Sequence, residues 1–177
     1  MDQNNTMSVL TLLVLCFGVG LATAAAGDLP QVGQMAPNVS LPSQDGSQAS
    51  LKDFRGKWVV LYFYPKDNTP GCTIEAHNFQ RDLSKYQEMN AVIIGVSVDS
   101  SDSHKDFCAK QNLTFKLLAD TDKKVVAEYG SLGESGVAAR NTFLIDPKWQ
   151  IVKVWTGVKP AGHSEEVLAA LSELQQK

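Results

Sequence analysis

Along the body of the chain, apolar residues gather in short continuous runs separated by segments of helical spacing. Trp58–Tyr64 and Ala91–Val98 carry no charge and do not alternate, as expected of strands covered on both faces. A helix is predicted between them, from Pro70 to Tyr86. Ser103-x-x-Asp106 predicts a capped helix running through Gln111. Phe115–Leu118 reads as short and extended, Asp122–Tyr129 as helical, and Thr142–Ile145 and Ile151–Trp155 as strands joined by a turn at Asp146-Pro147. Val167, Leu168, Leu171 and Leu174 line one face of a last helix, with Ser164 as its cap. Nearer the start, Ala36–Leu41 reads as an edge strand, Ser43–Gly46 as its turn, and Ser50–Lys57 as a short helical turn closed by glycine. Strands alternate with helices and the chain ends in a hairpin and a helix. This is an α/β pattern: a central mixed β-sheet flanked by helices.

The first 26 residues read differently. Ser8–Leu21 is a short apolar core, and Ala22-Thr23-Ala24-Ala25-Ala26 supplies small residues for cleavage. A secretory signal peptide over residues 1–26 is expected, with 27–177 as one domain. The apolar run falls short of the ~20 residues that a spanning helix prefers, so no stable membrane association is expected. Met1–Met7 carries neither Lys nor Arg, and an uncleaved N-terminal anchor is the competing reading. The expected destination is export, to the periplasm if the source is bacterial. Net charge is −3 with scattered basic residues, which argues against a nucleic-acid partner. Cleavage removes Cys16 and leaves Cys72 and Cys108, an even pair suited to a compartment where disulfides persist.

Cys72 carries the strongest chemical signal. The run Tyr64-Pro65-Lys66-Asp67-Asn68-Thr69-Pro70-Gly71-Cys72 delivers it from the end of a buried strand to the first turn of a helix. Thr69 can cap that helix, Pro70 suits its first position, and Cys72 falls third. Unpaired backbone N–H groups and the positive end of the helix dipole favour a thiolate there, the nucleophilic form of sulfur. A small buried residue in an ordinary capped helix is the competing reading. His77, His104 and His163 do not cluster in sequence and read as surface residues, without a metal site.

Pro65, Thr69 and Cys72 match the P-x-x-x-T-x-x-C motif of peroxiredoxins. The longer string YFYPKDNTPGCTIEA, with ARNTFLIDP from Ala139 to Pro147, resembles the bacterioferritin-comigratory-protein, or PrxQ, branch of that family. The resemblance spans about Val32 to Leu174. It implies a thioredoxin-like fold, which the alternation of elements also fits, and a peroxidase acting on hydrogen peroxide and organic hydroperoxides. It implies Cys72 as the attacking residue, Thr69 as a hydrogen-bond partner of thiolate and peroxide, and Pro65 as a shield against water. It implies Arg140 as the active-site cation, with Glu75 orienting it. Many members of this branch place the resolving cysteine five residues on, where this chain has His77. Others place it on a later helix, which Cys108 fits. An intramolecular Cys72–Cys108 disulfide is the expectation so implied. Cys108 as a buried apolar residue, a permanent bridge, or a one-cysteine cycle with an external thiol remain open. The resemblance further implies a thioredoxin-like dithiol reductant, a monomer, and no prosthetic group or metal. A thiol–disulfide oxidoreductase would want a C-x-x-C pair, which this chain lacks; a peroxide sensor would share the same attack chemistry.

Overall fold

The computed structural model describes Met1 and residues 27–176, so the expected leader lies outside the described residues. A small hairpin comes first, β1 (Ser40–Pro42) against β2 (Gln48–Ser50), followed by a 3-10 turn at Leu51–Phe54. Then follow β3 (Trp58–Phe63), α1 (Pro70–Arg81), α2 (Leu83–Glu88), β4 (Ala91–Ser97), α3 (Ser101–Gln111), β5 (Lys116–Ala119), α4 (Lys124–Glu128), β6 (Thr142–Ile145), β7 (Ile151–Trp155) and α5 (His163–Gln175). The main sheet has the order β5-β4-β3-β6-β7. Its β3–β4 and β4–β5 pairs are parallel, and its β3–β6 and β6–β7 pairs antiparallel. The fold is thioredoxin-like, a mixed sheet with helices on both faces.

Alternation along β3 assigns the faces. Val60, Tyr62 and Tyr64 join a core with Cys72, Ala76 and Phe79 of α1, Tyr86 of α2, Phe107 and Cys108 of α3, and Val167 and Leu171 of α5. Val59, Leu61 and Phe63 point the other way, onto Val125 and Val126 of α4 and Ala49 of the hairpin. Both cysteines therefore lie on one side of the sheet, under the same helical layer. Gly95 of β4 pairs with Tyr62. A Cβ at Gly95 would sit 2.7 Å from the Tyr62 ring, so the glycine admits that ring between the two strands' side chains.

Four helix starts differ from the sequence expectation: α4 begins at Lys124 instead of Asp122, and the other three differ for local reasons. The predicted Pro70–Tyr86 helix breaks at Asp82. There the carboxylate, buried, accepts from Arg81 Nη2 at 2.6 Å, Lys85 Nζ at 2.9 Å and Ser164 Oγ at 2.9 Å. α3 starts earlier than Ser103, because Ser100 accepts from the Ser103 amide and is the real cap. α5 starts at His163 after Gly162, whose φ of 82° suits a glycine. Ser164 does not cap it, because it is the second residue inside the helix; its hydroxyl donates to Asp82.

Asp82 thus ties the α1–α2 junction to α5. Hydrogen bonds to a buried charged group are among the stronger polar contributions. Asp82→Ala is expected to lower the unfolding free energy by about 2–4 kcal/mol. A reduced urea midpoint checks this; an unchanged midpoint contradicts it.

Candidate active site

The turn after β3 sets the geometry. Tyr64 is buried and Pro65 half-buried, and Asn68 takes a left-handed φ of 58° that reverses the chain into α1. Pro70 is the first helical residue, where its missing N–H costs nothing. Cys72 is third, so its amide has no acceptor within the helix. Its side chain is buried in the shared core.

Arg140, in the loop before β6, reaches this turn from across the sheet. Its Nη2 donates to Cys72 Sγ at 3.1 Å, and its Nη1 donates to Glu75 Oε2 at 2.6 Å. Cys72 and Glu75 are three residues apart and share a helix face, so one planar guanidinium can serve both. The Arg140 carbonyl is fixed by the Val158 amide at 2.9 Å. Gly71 makes room for the approach, because a Cβ there would lie 2.8 Å from Arg140 Nη2.

The charges of this cluster depend on one another. Burial works against the Arg140 cation, but the Cys72 sulfur and Glu75 carboxylate outweigh it and raise its pKa. Burial pushes Glu75 up to about 7, with Arg140 pulling in the opposite direction. One carboxyl oxygen, Oε1, has no hydrogen-bond partner, which agrees with that direction. Tyr62 is also buried, with its hydroxyl unpaired. Burial first, then the charges of Glu75, Cys72, Cys108 and Asp67, raise its pKa well above the ordinary value, and it shares one core with both sulfurs.

Other expected residues are placed differently. Thr69 occupies the cap position, but its hydroxyl donates to the Lys66 carbonyl at 2.9 Å and makes no cap hydrogen bond. The hydrogen bond to the sulfur comes from Arg140 instead of Thr69. Cys108 is buried on α3, and both cysteines are free. Burial, with the Asp67 charge adding to it, pushes the Cys108 thiol up to about 11.

Two histidines expected at the surface are buried. His104 Nδ1 lies 2.8 Å from Asp67 Oδ2, and His163 Nε2 lies 2.9 Å from Thr142 Oγ1. His77 is exposed. A sequence signal for His104 exists: with Phe107 and Cys108 it forms an i, i+3, i+4 set, the pattern of a buried helix face. For Asp67, inside a polar turn, no such signal was available.

Residues 32–154 match the AhpC/TSA family. The Bacillus subtilis protein named Peroxiredoxin Bcp is 40% identical over 154 residues, covering 83% of this chain and 98% of its own. Among solved structures, a Xylella fastidiosa PrxQ with a cysteine replaced by serine superposes with a TM-score of 0.80 at 38% identity, covering 84% of this chain and 99% of the other. A Xanthomonas campestris bacterioferritin comigratory protein, described for its alkyl peroxide reduction activity, has a TM-score of 0.73 at 39% identity, covering 76% of this chain and 90% of the other. A cysteine at a helix start with an arginine on its sulfur, on this fold and at this similarity, is that of a peroxiredoxin: the chain belongs to the AhpC/TSA family.

Proposed function

We propose that this chain is a thiol-dependent peroxidase that reduces hydrogen peroxide and organic hydroperoxides with the sulfur of Cys72. The observation that carries the reading is the hydrogen bond from Arg140 to Cys72 Sγ at 3.1 Å. A cation donating to a sulfur at the positive end of a helix stabilises negative charge on it. The thiolate attacks the near oxygen of the peroxide. The O–O bond breaks, sulfur loses two electrons, and the departing oxygen leaves as alkoxide or hydroxide and takes up a proton. Arg140 and the unpaired Cys72 amide are the donors available to that departing charge. Gly71 and Glu75 act by positioning the guanidinium. Pro65 closes the strand side of the turn and shields the sulfur from water. Thr69, while donating to the Lys66 carbonyl, keeps acceptor lone pairs that a peroxide O–H can use.

The first step leaves Cys72 as a sulfenic acid. Cys108 then condenses with it: an S–S bond forms, the S–O bond breaks, and water departs with the Cys108 proton. Two Xanthomonas campestris structures related to this chain carry serine at one of two cysteines thirty-six positions apart, the spacing of Cys72 and Cys108, which supports this assignment. A thioredoxin-like dithiol then restores both thiols. The enzyme works as an exported monomer that starts at Gly27 after leader cleavage.

Mass spectrometry of the exported protein under non-reducing conditions, before and after peroxide, tests these statements together. The expected result is a mature chain beginning at Gly27 that forms a Cys72–Cys108 linkage on oxidation. Cys72→Ser should abolish peroxide consumption. Cys108→Ser should keep one stoichiometric oxidation and lose dithiol-driven cycling. Unchanged cycling in Cys108→Ser contradicts the resolving role.

Glu75 gives a pH prediction. Its folded value of about 7 lies above the ordinary 4.5, so the folded chain keeps a proton that the unfolded chain has released. The resulting stability is fully present below 4.5 and is lost as pH rises through about 7. Against Glu75→Gln, which cannot titrate, the wild type should lose relative stability across that window in urea titrations at several pH values. A pH-independent difference contradicts the assignment.

A further inference from the structure

Arg140 stands at the apex of a three-residue turn, and the bonds that hold this turn come from three other parts of the chain. The Asn141 amide donates to the Ala139 carbonyl at 3.0 Å, which closes the turn around Arg140. Ahead of it, the Ala139 amide donates to the Ser131 carbonyl at 2.7 Å. Behind it, the Asn141 carbonyl accepts from the amide of Phe63, the last residue of β3, at 2.8 Å. With the Val158 amide on the Arg140 carbonyl, the turn is tied on every side. One of those ties runs to the strand whose end delivers Cys72.

The Asn141 side chain adds two cross-links of its own. The residue is 5% exposed. Its Nδ2 donates to Ser131 Oγ at 3.0 Å, and its Oδ1 accepts from the Gly157 amide at 3.3 Å. Ser131 is fully buried, and its hydroxyl donates in turn to the Tyr129 carbonyl at 3.2 Å. One carboxamide therefore spans the loop before the turn and the loop after β7. Both of its ends are used, and a buried end left unpaired would cost its full desolvation. Arg140 needs this support. Its guanidinium has to meet Cys72 Sγ at 3.1 Å and Glu75 Oε2 at 2.6 Å together. The side chain is long, so a small shift of its backbone takes the fork away from both partners.

We propose that Asn141 is a positioning residue for the first oxidation. By clamping Ser131 and Gly157 it fixes the turn from which Arg140 projects, and it acts on Cys72 only through that arginine. Ser131 is the buried anchor of the clamp. The proposal rests on the reading of Arg140 as the donor that makes Cys72 reactive toward peroxide. Two residues that act through one contact do not contribute independently, so their substitutions must couple.

Single-turnover oxidation by hydrogen peroxide, in a Cys108→Ser background, tests this with Asn141→Ala, Arg140→Gln and the two combined. Asn141→Ala should slow the reaction by about tenfold, less than the ~10²-fold that an ångström of misplacement can cost. On top of Arg140→Gln, the same substitution should change the rate by no more than about twofold, because nothing remains for it to position. Ser131→Ala, which removes one of the two cross-links, should slow the first oxidation by a smaller factor with the same loss of effect beside Arg140→Gln. It carries the comparison alone if Asn141→Ala does not fold. Asn141→Asp keeps an acceptor for the Gly157 amide and a partner for the Ser131 hydroxyl, and should recover part of the rate. Equal slowing with and without Arg140 overturns the positioning role, as does a wild-type rate in the single variants. A wild-type rate in Arg140→Gln overturns the reading of Arg140 itself, and the proposal with it.

Discussion

Placing a guanidinium against a buried sulfur is the constraint around which this structure is arranged. A cation costs free energy to bury, and so does an anion; together, with a hydrogen bond between them, they offset much of that cost. Arg140 and Cys72 come from elements sixty-eight residues apart in sequence and meet only because β3 and β6 are adjacent in the sheet. Gly71 leaves the space, Pro70 begins the helix, and the Val158 amide holds the arginine's carbonyl. Glu75 completes the arrangement on the other side of the guanidinium. Its carboxyl is half-paired and buried, so it orients Arg140 without fully neutralising it.

The same burial holds Cys72 against Arg140 and Cys108 within the packing beneath α3. A polar cluster around Asp67 ties the Cys72 loop to the first turn of α3. Its buried groups compensate one another, and leaving one of them unpaired costs more there than it would in water.

Much of the fold was legible in the chain because it rests on local periodicity. The uncharged runs at Trp58–Tyr64 and Ala91–Val98 became the central strands β3 and β4. The hairpin β6–β7 fell at its expected residues. What escaped was settled by tertiary contacts. The break at Asp82 exists because Ser164, more than eighty residues away, bonds that carboxylate. Thr69 looked like a helix cap, since cap preference is a statement about residue type, but its hydroxyl turns to the Lys66 carbonyl. His104 and His163 looked exposed because polar residues usually are, and their buried partners, Asp67 and Thr142, are distant in sequence. Within the site, the Cys72 helix position followed from the chain's own pattern. Arg140 came from resemblance alone, and no local rule would have chosen it.

The central claim is that the Arg140 guanidinium makes Cys72 reactive toward peroxide. Single-turnover oxidation by hydrogen peroxide, followed in a Cys108→Ser background so that only the first step is seen, tests it most directly. Arg140→Gln should slow that oxidation by about a hundredfold or more, the scale of losing one preorganised charge-stabilising donor. Arg140→Lys should recover only part, because an ammonium cannot span Cys72 and Glu75 as the planar fork does. Equal first-step rates in wild type and Arg140→Gln, with the fold intact, would contradict the account.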